Sequence, residues 1–282
     1  MTGTNYDYLE LFGKLHLAHS NNPATLRLAD LSARPYSSGS YRKTPEAIMN
    51  TADFFEKLEA SIVKYDLLCH PFYKAWAAGE LTRSDLREYA TNYYHHVEAF
   101  PGYLAALAVR LDEGDLRRAI LANMCDEKGM PGESGKEAVP HSELWRDFVE
   151  GMGGARREVS RNVPVAEIRE LVHHFQRVAS DGTPEEALAA FYAYESQVPR
   201  VAKEKERGLR EMYRADDKTC GYFALHATAD IYHSNVWRNQ LEKQLKANPD
   251  AAQPALDAAE NAAKILWQAL DGIETARTSC AA

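Results

Sequence analysis

From Thr44 onward, apolar residues recur every three or four positions in long stretches separated by clusters of Gly, Pro, Asn and Asp, the signature of amphipathic helices and their connections. Thr44 suits an N-cap and Pro45 the first helical position; Phe55, Leu58, Ile62, Tyr65 and Cys69 follow at helical spacing. This predicts a helix of about 24 residues ending near His70-Pro71. Thr82 with Asp85 three residues on has the pattern of a capping box and opens a long helical segment through YATNYYHHVEAFPGYLAALAVRL, in which Pro101 predicts a kink. Further helices are read at about 115–127, 141–152, 164–180, 184–213, 217–247 and 254–276. No stretch of period-two alternation and no internal repeat stands out. The expected architecture is all-α, a bundle of seven or eight helices over residues 51–282, and facing helices of such a bundle are natural places to project metal ligands inward. Residues 1–50 are polar and broken by Asn21, Asn22, Pro23, Pro35 and the run SSGSYRKT. They read as an N-terminal extension whose role stays open between capping the bundle, dimerisation and disorder.

Composition narrows the function. The 282 residues suffice for a large core, and 45% apolar with 26% charged residues is ordinary for a globular protein. The net charge is −8, from 33 basic and 41 acidic residues, with Lys and Arg scattered; this excludes nucleic acid as a main partner. No run approaches the roughly 20 apolar residues of a membrane helix, and the start MTGTNYDYLELFGKLHL lacks the layout of a signal peptide, so a cytoplasmic protein with no membrane partner is expected. Cys69, Cys125, Cys220 and Cys280 lie far apart with no CxxC, against a zinc ribbon, a redox motif or a disulfide framework. Cys280 is third from the end and does not fit a prenylation signal.

The strongest chemical signal is His226-x3-Asp230-x2-His233, whose members fall at about 0°, 40° and −20° around a helix. The same pattern can arise among surface polar residues, but Phe223, Leu225, Ile231 and Trp237 make this helix largely apolar, and buried imidazole or carboxylate is costly unless paired or metal-bound. Carboxylates with histidines suit iron, manganese or zinc. Further ligands must come from other helices. Glu127 in MCDEKG, His141 in VPHSELW and Glu195 in FYAYESQVPR stand out as ionisable groups beside apolar or aromatic residues, although each is also compatible with a helix end or a solvated surface. Pro199 frees the carbonyl four residues back, that of Glu195, which predicts a kink or a short π-like distortion at this candidate bridging ligand.

The segments HPFYKAWAAGELTRSDLREYATNYYHHVEAFPGYLAAL, PHSELWRDF, YESQVPRVAKEKERGL and HATADIYH together resemble the haem-oxygenase-like dimetal oxidases, most closely the branch of the chlamydial protein associating with death domains and its bacterial relatives. The resemblance covers about residues 52–275. It implies six metal ligands, Glu127, His141, Glu195, His226, Asp230 and His233, holding an Fe/Mn or Fe/Fe pair that works with O2 and an external reductant, and it disfavours haem. Members of this branch resemble self-sacrificing para-aminobenzoate synthases, which implies Tyr73 as ring donor, Lys205 as amine donor, and Tyr89, Tyr194 and Tyr222 as tyrosines near the cofactor. Spacing alone does not nominate Lys205, which on a regular helix lies about 15 Å and roughly 80° from Glu195. The loop GMPGESGKEAVP between Glu127 and His141 is longer than its counterpart in the chlamydial-type proteins, which makes His141 the ligand that depends most on the fold. Two other readings stay open: a dimetal oxidase turning over a free amino acid or fatty acid by N-oxygenation, decarboxylation or C–C cleavage, with Tyr73 and Lys205 merely lining its pocket, and a protein-interaction module. Homodimerisation is left open as well.

Overall fold

The conformation is that of a computed structural model, which describes residues 49–130 and 138–279. Regular structure among the described residues is helical throughout: α1 (Thr51–Val63), α2 (Pro71–Ala78), α3 (Arg83–Ala108), α4 (Asp115–Glu127), α5 (His141–Gly151), α6 (Ala166–Asp181), α7 (Pro184–Glu195), α8 (Val198–Tyr213), α9 (Asp217–Ala247) and α10 (Ala252–Ser279), with short 3₁₀ turns at Leu67–Cys69, Val159–Arg161 and Pro249–Ala251. None of these helices is long and apolar enough to cross a membrane.

The all-α expectation holds, and the helices outnumber the expected seven or eight for two local reasons. Asn50, not Thr44, caps α1 through a bond from the Asp53 amide; Thr44 and Pro45 lie outside the described residues, as does the extension through residue 48. The segment expected to be one helix to His70 ends at Val63, and His70-Pro71 instead starts α2, with the His70 ring accepting from the Phe72 amide. The expected helix 184–213 is two helices. α7 stops at Glu195, Gln197 bonds back to Tyr194 in a 3₁₀-type contact of 3.2 Å, and α8 starts at Val198 with Pro199 in its first turn. Pro199 has no N–H for the Glu195 carbonyl, so the disruption expected there takes the form of a break rather than a π turn. The capping box at Thr82 and Asp85 forms as expected, and α3 continues through Pro101.

Packing places α7 at the centre. Every residue from Ala187 to Glu195 is buried, which is how a helix enclosed on all sides reads. α7 and α10 pack extensively, and both bury small residues, Ala187, Ala190 and Ala193 on α7 and Ala255, Ala259 and Ala262 on α10. α9 covers α5, α7 and α8, and α3 joins α4, α5 and α6. Between them lies an aromatic interior in which Trp76, Tyr89, Trp145, Phe148 and Phe223 meet ring to ring. Each such ring removes enough apolar area from water to contribute about 1.5–3 kcal/mol. Polar side chains inside this interior therefore need a specific reason to be there.

Candidate metal centre

The structure brings all six candidate ligands to one place, from four helices. Glu127 ends α4, His141 starts α5, Glu195 ends α7, and His226, Asp230 and His233 share one face of α9. None is more than 5% exposed. The long connection delivers His141 because of its ends: Gly129 has φ +63°, and a Cβ there would lie 2.5 Å from the Pro140 nitrogen. Only glycine combines that left-handed turn with so close a backbone approach, and the turn folds residues 138–140 back against the end of α4.

Two ligand groups result. Glu127, His141 and His226 offer atoms that all lie within 4.8 Å of one another, and so do Glu127, Glu195 and His233. Glu127 is common to both groups, while Glu195, the candidate bridging ligand from the sequence, belongs to the second. His141 Nδ1 lies 2.9 Å from Glu127 Oε2, yet it has no hydrogen-bond partner of good geometry, and neither do the buried His226 Nε2 and Glu195 Oε1. Buried polar atoms without partners are expensive, and two atoms that approach without pointing at each other are placed to point at a third. These oxygen and nitrogen donors suit iron and manganese, so the residues fit a divalent cation pair.

Asp230 belongs to neither group. Its two oxygens are taken by His226 Nδ1 at 2.9 Å and His233 Nδ1 at 3.1 Å, while the residue also lines a cavity of about 10 Å³ with Glu127, Glu195 and His226. Asp230, a candidate ligand from the sequence, meets both imidazoles at Nδ1, which leaves each Nε2 as the nitrogen that a cation can take once its proton is displaced. Burial opposes charge on Asp230, but the neighbouring His226 and the bonds from both rings outweigh it and hold its carboxyl at about 2. Burial likewise opposes charge on His233, yet its bond to Asp230 and the nearby Glu195 raise it to about 9; His226 is raised by the same carboxylate. Burial, and then the charge of Asp230, push Glu195 well above the usual carboxylate range. The cluster thus retains protons that a cation would displace. Trp237, read from sequence only as an apolar neighbour, donates its indole N–H to Glu195 Oε2; its spacing of four residues from His233 was the available signal.

A second cluster lies alongside. A cavity of about 30 Å³ is lined by Tyr73, Tyr93, Tyr194, Lys205 and Tyr222, among others, and Tyr194 and Tyr222 line the 10 Å³ cavity as well. Lys205, exposed by only 6%, donates from Nζ to Tyr89 Oη, and Tyr89 Oη lies 3.1 Å from Tyr73 Oη. The amine sits 4.5 Å from the centre of the Tyr73 ring. Burial drives the Lys205 amine well below, and the Tyr73 and Tyr89 hydroxyls well above, their usual ranges. Burial thus favours the uncharged form of all three. The break after Glu195 lets α8 carry Lys205 inward despite its sequence distance from Glu195. The pattern gave no sign of Tyr93, four residues from Tyr89 and stacked on it with 5.5 Å between ring centres, beyond that helical spacing.

Comparison with known proteins shows the family and the fold. Residues 87–267 match the family of iron-containing redox enzymes. A 4-aminobenzoate synthase of Chlamydia trachomatis serovar D is 34% identical over 237 residues, covering 83% of this chain and 96% of its own. One from Nitrosomonas europaea is 34% identical, covering 80% and 92%. A Shewanella denitrificans domain with a heme oxygenase-like fold superposes with a TM-score of 0.67 at 15% identity, covering 82% of this chain and 95% of that one. The chain belongs to the family of iron-containing redox enzymes and has the haem-oxygenase-like fold.

Proposed function

We propose that this protein makes 4-aminobenzoate from its own chain, with Tyr73 as the ring donor, Lys205 as the amine donor, and an Fe/Mn or Fe/Fe pair held by Glu127, His141, Glu195, His226 and His233, with Asp230 as a sixth ligand or as the carboxylate orienting His226 and His233. The observation that carries this reading is the placement of the Lys205 amine 4.5 Å from the centre of the Tyr73 ring in a cavity of about 30 Å³. A cavity this small favours a reaction between these two side chains over one on a free amino acid or fatty acid. The names of the relatives support the product, and the two cavities sharing Tyr194 and Tyr222 support a path between metals and donor.

Iron, when bound, supplies redox and Lewis-acid chemistry with O2 and a reductant. The chain supplies the rest. Aromatic walls exclude water from Tyr73, and Phe72 and Trp76 fix its ring. Lys205, kept neutral by burial, presents a lone pair beside that ring. Tyr89 stands between the Tyr73 hydroxyl and the Lys205 amine and is placed to pass a proton from one to the other. Tyr194 and Tyr222, buried and neutral, are placed between the metal ligands and this triad. Free thiols at Cys69, Cys125 and Cys220 suit a reducing compartment, and we assign the protein to the cytoplasm. The test is reconstitution with Fe(II), Mn(II), reductant and O2. 4-Aminobenzoate is expected at no more than one per chain, and a Tyr73→Phe variant still releasing ring-labelled product from its own labelled tyrosine overturns the assignment.

A further inference from the structure

The candidate ligands are all buried, so a cation arriving from solution needs a way in. The 10 Å³ cavity that touches Glu127, Glu195 and His226 has room for about one water and is too small for a hydrated cation. On the other side, a groove of about 420 Å³ between α4, α5 and α9 reaches the outer edges of His141 and His233. Its walls include Val139, Leu144 and Leu225, and the first and last of these are 51% and 37% exposed. Asp126 is the carboxylate of this groove. Its side chain is 55% exposed, and its Oδ2 lies 3.4 Å from His233 Nε2. Two donors at that separation can share one ion, because each metal–ligand bond is about 2.0–2.2 Å. His233 Nε2 thus lies within reach of Asp126, while His233 also belongs to the buried group with Glu127 and Glu195.

We propose that Asp126 and the outer edge of His233 form a capture site for divalent cations, through which Fe(II) or Mn(II) is loaded into the buried centre. The exposed carboxylate draws in the hydrated ion between low-dielectric walls, where its field is focused. His233 holds the ion as water is shed, and Glu127, the next residue in the chain, replaces Asp126 as the ion moves inward. Asp126 serves loading and has no part in the chemistry, so this inference is independent of the product assigned above.

The test is stopped-flow uptake of Mn(II) by the metal-free full chain, beside equilibrium titration. Asp126→Asn is expected to slow uptake by roughly tenfold, with the final Mn(II) stoichiometry unchanged and Kd within about twofold, since capture and release slow together. Asp126→Glu keeps the carboxylate and is expected to load within about twofold of the natural rate, and Asp115→Asn, at the far end of α4, at the natural rate. An unchanged uptake rate in Asp126→Asn overturns the proposal, as does a weaker Kd at an unchanged rate, which would make Asp126 a positioning residue for His233. Equal slowing by Asp115→Asn also overturns it, since the effect would then be one of general charge.

Discussion

Replacing Lys205 by Met separates the chemistry of this residue from its effect on stability. Around the amine the structure has the Tyr89 hydroxyl and aromatic rings, the nearest centred 4.5 Å and 4.8 Å away. A desolvated cation–π contact is worth about 2 kcal/mol, whereas burying an ammonium without a counter-ion costs several kcal/mol. The neutral amine wins, as its lowered pKa reflects. In the unfolded chain the lysine keeps its proton up to about pH 10.4. Between the folded and unfolded pKa values the unfolded state therefore binds one more proton, and stability rises with pH by about 1.4 kcal/mol per unit. Lys205→Met removes this dependence while filling a similar volume. The variant should be more stable than the natural protein near neutral pH, and the gap should close by about 1.4 kcal/mol between pH 8.5 and 9.5. Urea unfolding of both metal-free proteins across that range measures the difference, and titrations common to both cancel. Parallel stability curves would refute the reasoning, because they would mean that the folded amine is charged. The variant should also yield no 4-aminobenzoate while binding metal normally.

Four other outcomes follow from the site. Glu127→Ala should lose both metals, since both ligand groups need it, whereas His226→Ala should keep close to one per chain; elemental analysis distinguishes them. Metal affinity should strengthen as pH rises toward about 9, the value to which Asp230 and Glu195 raise His233, with protons released on Mn(II) binding, seen as a buffer-dependent heat in titration calorimetry. In the metal-free protein the stability contributed by His233 should be fully present below about pH 6.5 and be lost as pH rises through about 9. Gly208→Ala should lower product yield without lowering metal content, because the added Cβ would lie 2.7 Å from the Trp76 ring, which packs against Tyr73; product and metal measured on one sample check it.

The candidate ligands were legible in the sequence to different depths. His226, Asp230 and His233 follow from helical periodicity alone, because one helix fixes their common face. Glu127, His141 and Glu195 were visible only as charged or ionisable residues in apolar company, since their convergence depends on how α4, α5 and α7 end. The part of Asp230 in orienting two imidazoles, and the sharing of Glu127 between groups, are matters of ångströms that spacing does not encode. Lys205 was hidden for a different reason. Its neighbours Lys203 and Arg207 point to water or pair at the surface, so the run reads as solvated, and the helix break after Glu195 decides that position 205 turns inward. In the fold, the helical stretches were readable from their apolar repeats, whereas the boundaries at His70-Pro71 and at Ser196-Gln197 depend on individual caps and on one proline.

The central claim is that ring and amine come from the chain itself. The most direct measurement is one reaction of protein carrying ring-¹³C tyrosine and ¹⁵Nζ lysine, reconstituted with Fe(II), Mn(II), reductant and O2, followed by mass spectrometry of both product and intact chain. The expected result is 4-aminobenzoate bearing both labels at no more than one per chain, with the matching mass changes mapped to Tyr73 and Lys205. Unlabelled product over many turnovers from an unmodified chain would contradict the account and return the site to an external substrate.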